Sequence, residues 1–110
     1  MNVAVIGSRT FDDYILLYET LDKYEIAKII SGGAKGADSL AKKYSISKNI
    51  PILELKPNWD LGRHAGLLRN TDIVNAADIV IAFWDGKSNG TRDSINKAKK
   101  LNKTVNVIIF

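Results

Sequence analysis

Two short polar segments of this chain hold residue types that bind phosphate. In Gly7-Ser8-Arg9-Thr10, glycine lets the backbone approach a ligand, and the side chains offer donors suited to phosphate oxygens. Ser31-Gly32-Gly33-Ala34-Lys35-Gly36-Ala37-Asp38 places three glycines just before a predicted helix. Backbone N–H groups at the positive end of that helix are suited to an anion. The alternative for both segments is an ordinary structural turn.

A third polar segment runs from Trp84 to Thr91. Thr91 is predicted to cap the last helix, so that the N–H groups of Gly90 and Thr91 point toward a ligand. None of these segments has the Gly-Lys-Ser/Thr ending of a nucleoside-triphosphatase phosphate loop or the glycine spacing of a dinucleotide fingerprint. Together they predict a different kind of anion site.

A predicted helix between the second and third polar segments carries an arginine behind two glycines. Gly62, Gly66, Arg69 and Ile73 share one face at helical spacing. Glycine weakens a helix by about 1 kcal/mol relative to alanine, so two on one face indicate a close approach. Either a neighbouring helix packs there, or a ligand held by Arg69 does. His64 lies off this face and is predicted to be a surface residue.

Asp38 is the carboxylate best placed for a ligand-binding role. It stands in the first turn of the second predicted helix, where a negative charge is favoured by the helix dipole without any ligand. If it does meet a ligand, we expect it to accept a ribose hydroxyl, because it would repel phosphate.

The elements that must position these loops alternate along the chain. Apolar runs predict strands at 3–6, 27–30, 51–55, 78–83 and 105–110, and 3.6-residue periodicity predicts helices at 14–21, 37–44, 60–75 and 91–101. Strict alternation predicts an α/β, Rossmann-like three-layer sandwich with a parallel sheet in the order 3-2-1-4-5. In such a sheet, ligands bind at the carboxyl ends of the strands, where the strand order reverses.

Composition narrows the class of protein. A chain of 110 residues suits one domain, spanning residues 1–110. It has no cysteine and one histidine, which exclude a disulfide framework and a cysteine or multi-histidine metal site. No apolar run is long enough to span a membrane, and the start lacks the pattern of a secretory signal, so we expect a cytoplasmic protein. Six of the sixteen basic residues lie in 87–110, which predicts a solvated lysine face on the last helix.

The motifs resemble a known family when they are taken together and in order. The segments that carry the resemblance are residues 7–11, 31–38, 62–70 and 89–93. They are similar to the YspA-type branch of the SLOG superfamily, which is common in bacteria and their phages and includes the Lonely Guy phosphoribohydrolases and the DNA-processing protein A family. The resemblance implies a Rossmann-like fold and binding of nucleotides or nucleotide-derived ligands, in several members as sensors linked to phage defence or stress. It also implies that Asn70 belongs to the site.

The chain departs from the Lonely Guy enzymes at one position that matters for catalysis. Those enzymes use a Pro-Gly-Gly-x-Gly-Thr-x-x-Glu loop. Gly90 and Thr91 fit it, but the position of its glutamate is Ser94. A serine cannot stabilise an oxocarbenium-like centre as a carboxylate does. Asp93 lies about 100° away around the helix, a poor geometric substitute.

Three functions follow as hypotheses. The favoured one is a cytoplasmic domain that binds a nucleotide or a phosphoribosyl-bearing derivative as a sensor or binding domain, without cofactor or metal. The second is a phosphoribohydrolase-like N-glycosidase with Asp38 or Asp93 as its carboxylate. The third is binding of single-stranded nucleic acid, with Trp59 and Trp84 as stacking platforms. We expect no membrane partner, and a homodimer is compatible with the sequence. The predicted ligand-binding residues are Gly7, Ser8, Arg9, Ser31, Gly32, Gly33, Gly36, Asp38, Arg69, Asn70, Gly90 and Thr91.

Overall fold

A computed structural model describes all 110 residues, and a parallel five-stranded sheet forms its centre. The strands are β1 (Asn2–Gly7), β2 (Lys28–Ser31), β3 (Ile52–Glu54), β4 (Ile79–Trp84) and β5 (Thr104–Ile109). The helices are α1 (Tyr14–Leu21), α2 (Ala37–Lys48), α3 (Ala65–Ala76) and α4 (Asn89–Lys100). The strand order is β3-β2-β1-β4-β5, which confirms the predicted order.

The apolar runs of β1 and β4 are buried on both faces of the sheet. Val3 and Val5 of β1 belong to one core cluster together with residues of α1 and α2, such as Leu17. Ala4 and Ile6 belong to a second cluster together with residues of α3 and α4. Since successive side chains of a strand point to opposite faces, a continuous apolar run covers both helix layers at once. None of the helices has the length and apolar character that a membrane crossing needs.

The strand order reverses at β1. It pairs with β2 on one side and with β4 on the other, with Val3 opposite both Ile29 and Ile79. The connections through α1 and α2 lie against one face of the sheet, and those through α3 and α4 lie against the other. The loops that follow β1 and β4 therefore diverge at the carboxyl edge of the sheet and leave a crevice between them.

The third helix begins later than the sequence predicts. A short 3₁₀ turn at Trp59–Leu61 precedes it, capped by the Asn58 side chain, which accepts a hydrogen bond from the Asp60 backbone N–H at 3.2 Å. Gly62 then has φ +87° and ψ −164°, a conformation that ends the turn and that only glycine adopts easily. The predicted helix start at residue 60, with Asp60 as its cap, is therefore wrong, and α3 starts at Ala65.

The last helix begins earlier than predicted, and its apolar face ends before Leu101. The residue before α4 is Ser88, and Thr91 lies inside the first turn, so the predicted Thr91 cap is wrong. The helical spacing of Ile95, Ala98 and Leu101 predicts that all three face the core. Ile95 and Ala98 are buried, whereas Leu101 follows the helix and is 48% exposed. Leu101 keeps the apolar spacing of the helix, although the helix itself ends at Lys100.

Candidate functional site

A cleft of about 520 Å³ opens at the carboxyl edge of the sheet, where the strand order reverses. Its walls are the loops after β1, β2 and β4, one side of α3 and the first turn of α4. Nine of the predicted binding residues line it: Gly7, Ser8, Arg9, Gly32, Asp38, Arg69, Asn70, Gly90 and Thr91. Ser31, Gly33 and Gly36 do not. The volume is in the usual range for a small-molecule site.

The loop after β1 is tied to the loop after β4 through Ser8. The Ser8 side chain is buried, and its hydroxyl oxygen accepts a hydrogen bond from the Asp85 backbone N–H at 3.1 Å. The Ser8 backbone N–H donates to the carbonyl of Phe83 at 2.9 Å. The neighbouring Arg9 side chain is exposed and borders the cleft. Ser8 therefore holds this loop in place, and Arg9 is the side chain of the pair that is free to reach a ligand.

The glycine-rich loop after β2 uses some of its polar groups internally. The Gly33 backbone N–H donates to the Ser31 hydroxyl at 3.3 Å, and the Ala34 N–H donates to an Asp38 carboxylate oxygen at 3.1 Å. Gly36 packs beneath the β1 loop, where a Cβ atom would come within 2.7 Å of the Arg9 Cα. This loop thus offers an anion fewer free N–H groups than its composition predicts.

The Arg69 side chain connects α3 to the loop after β2. Its Nη1 donates to the Gly32 carbonyl at 2.9 Å, and its Nε donates to the Asn70 side-chain oxygen at 3.0 Å. A Cβ atom at Gly32 would collide with this guanidinium. Two glycines were predicted to precede Arg69 on its helical face. Only Gly66 is in the helix, and Gly62 lies before it, so the face that lacks side chains is shorter than predicted.

Asn70 fixes the position of Arg69 and of the first turn of α4. Its side chain is 7% exposed. Its amide nitrogen lies 3.3 Å from the Gly90 carbonyl and 3.2 Å from a carboxylate oxygen of Asp93, and donates to both. Because its oxygen accepts from Arg69, all of its polar atoms have protein partners. Asn70 is placed to position other groups of the site.

The first turn of α4 presents backbone N–H groups along the cleft. The Asp85 carboxylate accepts from the N–H groups of Lys87 and Ser88, both at 2.8 Å, and these bonds lower the pKa of Asp85. Gly90 and Thr91 come next and line the cleft. A Cβ atom at Gly90 would meet nothing within 4 Å, so the approach to this turn is open. Such a helix start attracts anions.

Comparison with known proteins agrees with the motifs and the fold. A sequence model of the YspA, cpYpsA-related SLOG family (YAcAr) matches residues 1–62. The Gene 61 protein of Mycobacterium phage D29 is 32% identical over 111 residues, which cover 89% of this chain and 88% of that protein. The chain belongs to the YspA, cpYpsA-related SLOG family. The resemblance seen in the sequence is confirmed.

Two solved structures share the fold of this SLOG chain. DNA processing protein A from Streptococcus pneumoniae superposes with a TM-score of 0.81 at 19% identity, over 99% of this chain and 50% of that one. The protein of the same name from Helicobacter pylori, whose structure describes single-stranded DNA binding, has a TM-score of 0.74 at 24% identity, over 97% of this chain and 64% of that one. The SLOG chain thus spans about half to two thirds of these structures, and the likeness shows a common fold.

The two carboxylates considered for catalysis have different surroundings in the SLOG chain. Asp93 does not line the cleft; it pairs with Lys97 at 2.8 Å in the seam between α3 and α4. Ser94 does line it, buried, with its hydroxyl donating to the Gly90 carbonyl at 3.3 Å. Asp38 lines the cleft as well, and burial raises its pKa, while the Ala34 N–H and the Arg69 charge act to lower it. No direct ion pair joins Asp38 to Arg69.

Among the cleft residues that were not predicted to bind a ligand, Arg63 and Trp59 have side chains suited to a nucleotide. Arg63 follows Gly62 in the turn before α3 and adds a third guanidinium to those of Arg9 and Arg69. Trp59, considered in the sequence only as a stacking platform for nucleic acid, is 64% exposed and lines the cleft. Arg63 lies within the family motif at 62–70, and that motif is the signal by which it could have been found.

Asp38→Asn should change how the stability of the SLOG chain depends on pH. Because burial raises the pKa of Asp38 above its ordinary value of 3.8, the native state holds a proton in a pH range where the unfolded chain has released it. The resulting stabilisation is complete below the ordinary pKa and is lost as the pH rises through the raised one. The unfolding free energy of the unmodified protein should fall across that range relative to Asp38→Asn, as urea unfolding at several pH values would measure. A pH-independent difference between the two proteins would contradict this.

Proposed function

We propose that residues 1–110 act as one domain that binds a nucleotide or a nucleotide-derived, phosphoribosyl-bearing ligand in the cleft, as a sensor or binding domain. The observation that carries the proposal is the meeting of three guanidinium groups and the start of α4 around one cleft. Arginine and helix N-termini are the protein groups best suited to phosphate. Binding of nucleotide-type ligands is also what the family resemblance implies.

The phosphate would lie between Arg69 and the first turn of α4. Arg69 is already held by Gly32 and Asn70, so little conformational entropy is lost when its remaining N–H groups bind an anion. The N–H groups of Gly90 and Thr91, which also line the cleft, would bind the same anion. Asp38, on the Arg69 side and buried, would accept a ribose hydroxyl.

Binding is favoured over N-glycosidic hydrolysis by the surroundings of the carboxylates. Besides Asp38, only Asp85 lines the cleft with a carboxylate, and that group is engaged by two backbone N–H groups. Ser94 occupies the position that the resemblance assigns to the glutamate of the phosphoribohydrolases. We therefore expect little release of free base from nucleoside monophosphates. Efficient release that is lost in Asp38→Asn would favour the hydrolase instead.

Adding the right nucleotide should raise the melting temperature by about 10 °C when the ligand is present at roughly a hundred times its dissociation constant. The reason is mass action, since the ligand binds the folded chain only. A thermal-shift panel of mono-, di- and cyclic nucleotides and ADP-ribose tests this. The Lys99→Gln/Lys100→Gln variant, altered at two exposed lysines of α4, should respond equally. No shift with any compound at millimolar concentration would contradict the proposal.

Single-stranded DNA is a second candidate ligand, favoured by the H. pylori structure and by the exposed Trp59. The other predicted platform, Trp84, is only partly exposed; its ring nitrogen donates to the Ser88 carbonyl at 3.0 Å and Arg92 stacks on it. Two of the C-terminal lysines are engaged as well, because Lys97 of α4 pairs with Asp93, and Lys103, which follows α4, donates to two carbonyls at the end of α3. A strand would therefore follow the cleft, and anisotropy of labelled oligonucleotides at several salt concentrations tests this.

A further inference from the structure

A second recess of about 380 Å³ adjoins the cleft on the side of β3. Arg9, Gly32, Trp59 and Arg69 line both cavities, so the two form one continuous groove. Lys56, in the loop after β3, lines only the second recess. Each volume falls in the range of small-ligand sites.

The second recess is cationic. Lys56, Arg9 and Arg69 line it, and no carboxylate does. Lys56 is exposed and forms no ion pair, and the nearby Glu54 pairs with Lys42 at 3.4 Å. Both side chains lie beside Gly33, where a Cβ atom would come within 2.7 Å of a Glu54 carboxylate oxygen and within 2.9 Å of the Lys56 Cε. The glycine thus leaves the space that the lysine occupies at the rim of the recess.

Trp59 stands between the two cationic regions. Its indole lies beside α3 at Gly66, where a Cβ atom would be 3.9 Å from the edge of the ring. The side chain is 64% exposed, and it lines both the cleft and the recess. A flat, exposed aromatic ring flanked by cations is suited to a base that carries a phosphate on either side.

We propose that the groove binds a nucleoside flanked by two phosphates, the arrangement found in a small dinucleotide. One phosphate contacts Arg69 and the first turn of α4, the base stacks on Trp59, and the second phosphate contacts Lys56. This assignment rests on the proposed function and adds to it the number and spacing of the anionic groups. A longer single strand contains the same unit, and the experiment distinguishes the two sources.

The test is calorimetric titration of the full chain with nucleoside 5′-monophosphates, the matching 3′,5′-bisphosphates, a linear dinucleotide and a ten-residue oligonucleotide. The bisphosphate should bind about five- to tenfold more tightly than the monophosphate, through the contact with Lys56. Lys56→Gln should abolish that gain and leave monophosphate affinity unchanged. Lys100→Gln, the matched change on α4, should alter neither affinity. Trp59→Ala should weaken both ligands about tenfold.

The outcomes separate this inference from the proposed function. If monophosphates bind and the second phosphate adds nothing, or if Lys56→Gln weakens both ligands equally, the inference is wrong and the proposed function stands. If the oligonucleotide binds far more tightly than the dinucleotide, the ligand is a strand and the dinucleotide assignment is overturned. If no nucleotide binds, both the inference and the proposed function fail.

Discussion

Arg69→Ala should weaken nucleotide binding by about ten- to a hundredfold, because it removes a charge-assisted contact with phosphate. The guanidinium is half-buried and held by the Gly32 carbonyl and the Asn70 side chain, so it is positioned before any ligand arrives. Calorimetric titration of the variant measures the loss. Arg69→Lys should recover only part of the affinity, since an ammonium cannot reproduce the planar fork.

The same substitution should also lower stability, and both quantities must be measured. Without Arg69, the Gly32 carbonyl and the Asn70 oxygen lose their donor. Arg92→Ala is the matched control, because Arg92 is exposed, stacks on Trp84 and does not line the cleft. It should keep full affinity. If Arg69→Ala lowers the melting temperature but binds nucleotide as well as the unmodified protein, Arg69 is a structural residue and does not belong to the site.

Gly36→Ala should lower the unfolding free energy by about 3 kcal/mol or more. Gly36 has φ +75° and ψ −126°, and a Cβ atom there would collide with the Ser8 carbonyl and come within 2.7 Å of the Arg9 Cα. These are backbone atoms, so they cannot move aside as a flexible side chain would. The loop after β2 would have to separate from the loop after β1, and chemical denaturation measures the cost.

Gly86→Ala measures the conformational part of that effect, so that the difference between the two variants gives the steric part. Gly86 also has a positive φ, +81°, but a Cβ atom there would meet nothing within 4 Å. The unfolding free energy of this variant should therefore fall by only about 1 kcal/mol, which is the conformational cost of a side chain at positive φ. Equal losses in the two variants would show that the contact between the two loops is unimportant.

The layout of the fold was predictable because the strongest local patterns agree with the tertiary structure. The apolar runs of β1 and β4 need cover on both faces, and alternation with amphipathic helices leaves few topologies. Helix starts were harder to predict. Asp60 and Thr91 are good cap residues, yet Asn58 caps the short turn before α3 and α4 begins after Ser88. Capping preference ranks these residue types too closely to choose between neighbouring positions.

The location of the cleft was predictable, whereas the contacts that each residue makes around it were not. Polar loops after parallel strands must meet at one edge, and nine of the twelve predicted residues do line the cleft. The side chains of Ser8 and Asn70 form hydrogen bonds with other protein atoms, and Gly36 lies beneath the loop after β1. These partners lie in distant parts of the chain, so local sequence patterns cannot predict them.

During synthesis β1 leaves the ribosome well before β4, although the two lie side by side at the centre of the finished sheet. Val3 pairs with Ile79, so one edge of β1 has no partner until the chain has grown past that point. Residues 1–62, which the family model matches, contain β1, β2 and β3 but neither α3 nor α4 to cover the second face. A nascent chain of that length exposes an apolar strand edge that can pair with other chains. We therefore expect newly made protein to be most prone to association before β4 emerges.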